Sequence, residues 1–146
     1  MKEIITNIEI SAPAEKVWRV LTDLERFPQW NPFVRKAEGE LREGSRLKVL
    51  ADAPGLPNLT IKTTITRVIP GQEFRWIAHL VSPGLLDGEH IFEIEPLGEE
   101  RVRFIQREHL RGLLLPILWP MLNFSTRGGF EAMNNALKRR AEEGQP

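Results

Sequence analysis

Apolar and polar residues alternate along most of this chain, and the points where the period changes divide it into elements. Residues 3–10 are rich in isoleucine and threonine and read as a strand that stops at Ser11-Ala12-Pro13. Helical spacing follows. Val17, Leu21 and Leu24, with Val20 beside them, make one apolar face, while Glu15, Lys16, Arg19 and Asp23 cover the other. Ser11 is placed to cap this helix, with Pro13 in its first turn. Thr22-Asp23-Leu24-Glu25 fits a capping box that opens a second short helix, ended by Pro28. From Phe33 to Leu110 a period of two returns and predicts six strands, near 33–41, 46–51, 59–69, 73–81, 88–95 and 101–110. The last element is a long helix over 117–142. Trp119, Leu122, Thr126, Phe130, Met133 and Leu137 share its apolar stripe, and Asn123, Arg127, Glu131, Asn135, Lys138 and Glu142 lie away from it. Gly128 and Gly129 mark a bend or a close approach within that helix.

The connections between strands differ in kind. Arg42-Glu43-Gly44, Pro70-Gly71-Gln72 and 96–100 are short polar turns, whereas 53–58, 82–88 and 111–116 are longer and carry leucines. Successive turns of an up-and-down meander fall at alternate ends of the sheet. Parity therefore gathers the three apolar loops at one end.

Alternation also proposes which side chains share the inner face of the sheet. Leu59, Ile61, Thr63 and Ile65 form one inward set and Phe74, Trp76, Ala78 and Leu80 another; His90, Phe92 and Ile94 follow, then Val102, Phe104, Gln106, Glu108 and Leu110. The face is apolar with three polar points, His90, Gln106 and Glu108. A His90–Glu108 pair in a dry pocket is a candidate general acid and base; a satisfied polar cluster is the plainer reading of the same residues. Trp30-Asn31-Pro32 reads as a turn in which Asn31 bonds backbone and Trp30 covers the core edge. The run from Leu113 to Pro120 is too apolar for an ordinary loop and reads as core or lining, with a surface that touches a membrane or a partner as the alternative.

Composition narrows the chemistry. The 146 residues hold 41% hydrophobic and 27% charged side chains, which describes one soluble domain over 1–146 and no disordered or fibrous protein. Twenty basic residues balance twenty acidic ones, so no global field favours nucleic acid. With no cysteine, disulfides and thiolate chemistry are excluded. Three scattered histidines without a ligand motif predict no metal, and neither a phosphate loop nor a dinucleotide-binding turn is present, so no cofactor is expected. The polar start, Met1 to Asn7, lacks the apolar core of a signal peptide, and the longest apolar run has two prolines and is far short of a bilayer span. A cytoplasmic protein without a transmembrane segment is expected, with transient membrane contact left open.

Three stretches carry a family resemblance: Ile8 to Trp18 with Leu21-Thr22-Asp23, Phe27-Pro28-Gln29-Trp30-Asn31-Pro32-Phe33-Val34, and Gly129-Phe130-Glu131-Ala132-Met133-Asn134. With the order of elements, they resemble the START-like (SRPBCC) superfamily, polyketide cyclase/dehydrase-like branch. The resemblance implies an α+β helix-grip fold: a curved seven-stranded antiparallel sheet wrapped around the long C-terminal helix, two short helices after strand 1, and an apolar cavity between sheet and helix. Residues expected to line that cavity are Ile61, Thr63, Trp76, Ala78, His90, Phe92, Phe104, Gln106 and Glu108 from the sheet, with Trp119, Leu122, Thr126 and Phe130 from the helix. Pro54, Gly55, Leu56, Leu85, Leu86 and Leu114 would form gates at its mouth. The leading expectation is a binder or carrier of a small hydrophobic molecule (lipid, quinone or polyketide-like), as a monomer or homodimer. Alternatives are a cyclase or dehydratase using His90 and Glu108, and an interaction module of the chaperone-activator type. The superfamily hosts all of these activities, so the fold does not choose among them.

Overall fold

A computed structural model describes residues 1–143 of the chain; the last three residues of the expected domain, 144–146, lie outside the described residues. The alternating segments form seven strands: β1 (Lys2–Ile10), β2 (Val34–Glu38), β3 (Arg46–Ala51), β4 (Leu59–Ile69), β5 (Glu73–His79), β6 (Asp87–Gly98) and β7 (Arg101–Arg111). All pairs are antiparallel and the sheet order is β1-β7-β6-β5-β4-β3-β2. Between β1 and β2 come α1 (Ala14–Thr22), a single 3-10 turn (Leu24–Arg26) and α2 (Phe27–Trp30); α3 (Leu115–Glu142) closes the chain. This is the helix-grip architecture, a curled half-barrel around one long helix. Register shifts at Val34/Lys36 and Ile65/Arg67 mark bulges, which bend the strands that carry them.

Curvature gives the sheet a concave face, and the period-two alternation fills it as expected. Phe74, Phe92 and Phe104 from the strands meet Phe130, Met133 and Leu137 of α3, all fully buried. Gly129 allows the helix to come this close: a Cβ there would sit 2.4 Å from Cδ1 of Phe33. Polar ties fix α3 from its middle to its C-terminal end. Arg127 Nη1 donates to the Ile5 carbonyl at 3.1 Å, Lys138 Nζ to the Glu9 carbonyl at 3.0 Å, and Arg140 Nη2 to Gln29 Oε1 at 2.8 Å. Asn31 shapes the entry to β2, its Oδ1 accepting from the N–H groups of Phe33 (3.0 Å) and Val34 (2.9 Å).

Some local expectations are corrected. Ser11 does not cap α1; the helix begins after Pro13 without a side-chain cap, and the Ser11 N–H is bound instead by Glu142 Oε2 at 2.8 Å, a tertiary partner no local motif shows. The capping box at Thr22 does not form either. Thr22 Oγ1 donates back to the Trp18 carbonyl at 2.7 Å, and Asp23 pairs with Arg26 at 2.5 Å. Pro28 opens α2 rather than ending a helix, consistent with proline's missing N–H in a first turn. β2 stops at Glu38 and β5 at His79, short of the expected ends at 41 and 81, while β6 runs on to Gly98.

Candidate functional site

A solid core would need large side chains at every inward position, and the row nearest the open end of the sheet lacks them. Ala78 faces Gly88 across β5 and β6, and Thr63 faces Ala78 from β4. Under the first half of α3 these three short side chains leave a cavity of about 390 Å³. Leu118, Met121, Leu122 and Thr126 roof it, and Trp76, His90 and Glu108 line its wall on the side of the aromatic core.

The three apolar loops meet at its mouth, as parity requires. The β5–β6 loop and the segment after β7 are joined by backbone bonds, Leu113 N–H to the Gly84 carbonyl (3.1 Å) and Leu114 N–H to the Leu85 carbonyl (3.0 Å). Gly112 permits this approach, with φ +135° and a position for Cβ only 2.2 Å from the Leu85 oxygen. The β3–β4 loop leans on α3 through Pro54 against Gly128 and Gly55 near Phe124 and Ser125. Of the proposed gate residues, Leu56 and Leu86 line the cavity; Pro54, Gly55, Leu85 and Leu114 belong to the surrounding rim. The apolar run after β7 splits by helical phase: Leu115 is buried and Leu118 faces the cavity, but Leu113 and Ile117 are each 79% exposed and Phe124 is 70% exposed.

Four polar side chains from four elements, His90 on β6, Gln106 on β7, Asn134 on α3 and Thr6 on β1, form a chain of hydrogen bonds beneath the cavity. Gln106 Nε2 donates to the Phe130 carbonyl (3.2 Å) and to Asn134 Oδ1 (2.8 Å), and Asn134 Nδ2 donates to Thr6 Oγ1 (3.0 Å). A backbone carbonyl cannot donate, so the Phe130 oxygen sets the polarity of the whole chain. Gln106 therefore turns Oε1 toward His90, and His90 Nε2–H donates to it across 2.8 Å. This tautomer leaves Nδ1 as the lone-pair nitrogen, with no partner among the described residues. The ring is stacked on Phe92 at 3.8 Å and on Phe130 at 4.6 Å. Desolvation in this aromatic setting outweighs the bond to Gln106 and drives the imidazole pKa down to about 3, so His90 is neutral.

Glu108 is the opposite case. It faces His90 from β7, leans over Gly88 and has no hydrogen-bond partner among the described residues. Burial, then repulsion from Glu89, raises its pKa to about 8, so at neutral pH it is largely a carboxylic acid. Thr63, only 3% exposed, also lines the cavity, and its Oγ1 is buried without a partner. The proposed His90–Glu108 acid–base pair is not bonded as a pair. The structure joins His90 to Gln106 and leaves Glu108 free.

Ile61, Thr63, Trp76, Ala78, His90, Glu108, Leu122 and Thr126 reach the cavity. Phe92, Phe104, Gln106, Trp119 and Phe130 do not. The three phenylalanines and Gln106 are fully buried beneath it, and Trp119 packs partly buried against the edge of the core under Lys2 Nζ, 5.3 Å from the ring centroid. Asn134 and Thr6 escaped the sequence reading, although Asn134 follows Met133 on the buried side of the helix, where a polar residue signals a tertiary partner. Gly88 and Phe33 were missed too; the signal for Gly88 was its shared parity with His90. Among the described residues no cluster of three potential metal ligands occurs, and no helix is long and apolar enough to cross a membrane.

Residues 1–142 match the family model described as "Polyketide cyclase / dehydrase and lipid transport". The chain belongs to this family. No curated protein sequence matches it. Among solved structures, the Zhui aromatase/cyclase from Streptomyces sp. R1128 is similar with a TM-score of 0.79 at 19% identity, over 97% of this chain and 93% of that one. A START superfamily protein from Mycobacterium smegmatis has a TM-score of 0.79 at 21% identity, over 98% and 99%. Norcoclaurine synthase from Thalictrum flavum, solved with dopamine and hydroxybenzaldehyde, has a TM-score of 0.73 at 18% identity, over 99% and 88%. At these identities the likeness establishes the START-like fold that this polyketide cyclase-like chain shares with them. The family supports hydrophobic ligand binding or cyclase chemistry.

Proposed function

We propose that this member of the family binds and carries a small, mostly apolar molecule in the cavity between the sheet and α3. The observation that supports it is a cavity of about 390 Å³ with an apolar wall and a buried threonine hydroxyl that has no protein partner. Binding pockets have this composition, apolar surface with a few convergent polar groups. Affinity would come from apolar area removed from water at roughly 25 cal/mol per Å². Organic extraction of the purified protein with mass spectrometry, and a thermal-shift panel of lipids, quinones and polyketide-like aromatics, test the reading. An empty extract together with no shift across the panel refutes it.

A cyclase or dehydratase is the second reading, favoured by one observation: a neutral carboxylic acid, Glu108, lines the same cavity as the lone-pair nitrogen of His90. The acid half of such a pair is well matched to its task. The base half is not, because a conjugate acid with pKa about 3 makes His90 a poor proton acceptor near pH 7. Turnover abolished in both His90→Ala and Glu108→Gln with ligand affinity retained would reverse this ranking.

A further inference from the structure

The polar atoms left over in the cavity restrict what it takes, an inference that rests on reading the cavity as a binding site. Besides Thr126 on the roof, three side chains on the sheet present such atoms. His90 offers Nδ1, an acceptor only, because the chain through Gln106, Phe130 and Asn134 holds the proton on Nε2. Glu108 offers an unpartnered carboxyl group, and Thr63 an unpartnered hydroxyl. Among the described residues no lysine or arginine lines the cavity, so a carboxylate or phosphate inside it would have no counter-charge from them.

His90 and Glu108 are directly opposite on β6 and β7. Side chains so placed have Cβ atoms about 4.5–5.5 Å apart. Glu108 leans over Gly88 instead of bonding His90, so the two groups line the cavity without bonding each other. A single hydroxyl oxygen bonded to both, at about 2.7–2.9 Å each, would hold them up to roughly 5.5 Å apart, within reach of facing side chains on neighbouring strands. A ketone or ether oxygen accepts from Glu108 but leaves Nδ1 unpaired. A hydroxyl satisfies both groups.

We infer that the cavity selects an uncharged, hydroxylated apolar molecule, a phenol or an alcohol, whose hydroxyl donates to His90 Nδ1 and accepts from the carboxyl group of Glu108. Thr63, across the short Ala78–Gly88 floor, is placed to meet a second oxygen on a longer ligand.

A matched set of two-ring probes tests this by calorimetry at pH 6: naphthalene, 2-methoxynaphthalene, 2-naphthol, 2-naphthoate and 2-(aminomethyl)naphthalene. The expected result is 2-naphthol binding about ten- to hundredfold more tightly than naphthalene or its methyl ether, the usual penalty for leaving a buried polar group unpaired. Naphthoate should bind weakest. Glu108→Leu should erase the preference for naphthol while naphthalene affinity holds, and Glu108→Gln, which keeps a donor, should retain most of it. His90→Phe should also erase it, with the melting curve checking that the variant folds. Equal affinities for naphthol, naphthalene and the ether overturn the inference and leave the binding site standing. Tightest binding of the ammonium or carboxylate probe overturns it by revealing an ion-pairing pocket. If no probe binds, the reading of the cavity itself falls.

Discussion

Replacing Glu108 with glutamine separates what this residue does for the site from what it does to the fold. In the unfolded chain its carboxyl titrates near 4.5, and in the native state burial and Glu89 raise it to about 8. Between those values the folded protein holds a proton that the unfolded chain has released. Stability therefore falls as pH rises, by about 1.4 kcal/mol per unit, and levels off above the native value. At pH 7 the loss is about 2–3 kcal/mol once water reaching the cavity is allowed for. His90 works in the other direction: burial lowers its pKa from 6.5 to about 3, so stability is lost as pH falls through that interval. From about 4.5 to 6.5 the two slopes oppose each other, and above 6.5 the carboxyl acts alone. The groups around Glu108 do not cancel this. His90 faces it on the concave side, Glu89 adds like charge from β6, and Arg107 and His109 alternate to the convex face, where both reach Glu3. Urea unfolding of both proteins from pH 4 to pH 9 reads the effect. Glu108→Gln should match the parent at pH 4, gain about 2–3 kcal/mol at pH 7 and gain no more above about pH 8. A difference that does not change with pH, or a glutamine variant weaker than the parent at pH 8, refutes the reasoning.

Further outcomes follow from the same geometry. Ala78→Leu pushes three carbons into the cavity floor and should abolish binding of the naphthalene probes while the melting temperature holds or rises, because it fills space rather than overpacking; undiminished binding by calorimetry would place the ligand elsewhere. Gly129→Ala sets a Cβ 2.4 Å from the Phe33 ring, and the overpacking cost of about 1–3 kcal/mol should exceed the helix-propensity gain of about 1 kcal/mol, so denaturant unfolding should show net loss. Gln106→Leu strips His90 Nε2–H and Asn134 Oδ1 of their partner at the cost of about 1–3 kcal/mol for each group, and a change under about 0.5 kcal/mol in the same assay would mean the chain of bonds carries little.

Strand alternation made the concave face legible because a period of two is a property of the backbone, independent of what packs above it. Parity placed the three apolar loops for the same reason. The emptiness of the site was harder to read. It depends on Ala78 and Gly88 standing opposite one another, and opposition is set by register between strands about ten residues apart, not by either strand alone. The polar pairing was only partly legible for a related reason. His90 does face Glu108 directly, but the diagonal neighbour Gln106 takes the bond, because the Phe130 carbonyl and Asn134 on α3 orient its amide. Ser11 failed as a cap because α1 starts at Ala14 with Pro13 in the cap position, and the Thr22 box failed because the Thr22 hydroxyl donates back to the Trp18 carbonyl.

The strand order has a consequence for how the protein is made. β1 is the first of the seven strands to be synthesised, yet its ladder partner is β7, pairing Lys2 with Leu110 and Ile10 with Val102. The meander from β2 to β7 can zip up through neighbours as it emerges, while β1 waits with an unsatisfied edge until β7 has been synthesised. The roof comes later still, since α3 follows the last strand and docks chiefly on β1. The cavity is thus the last feature of this fold to close during synthesis, and a chain truncated before α3 would carry every wall residue of the sheet and enclose nothing.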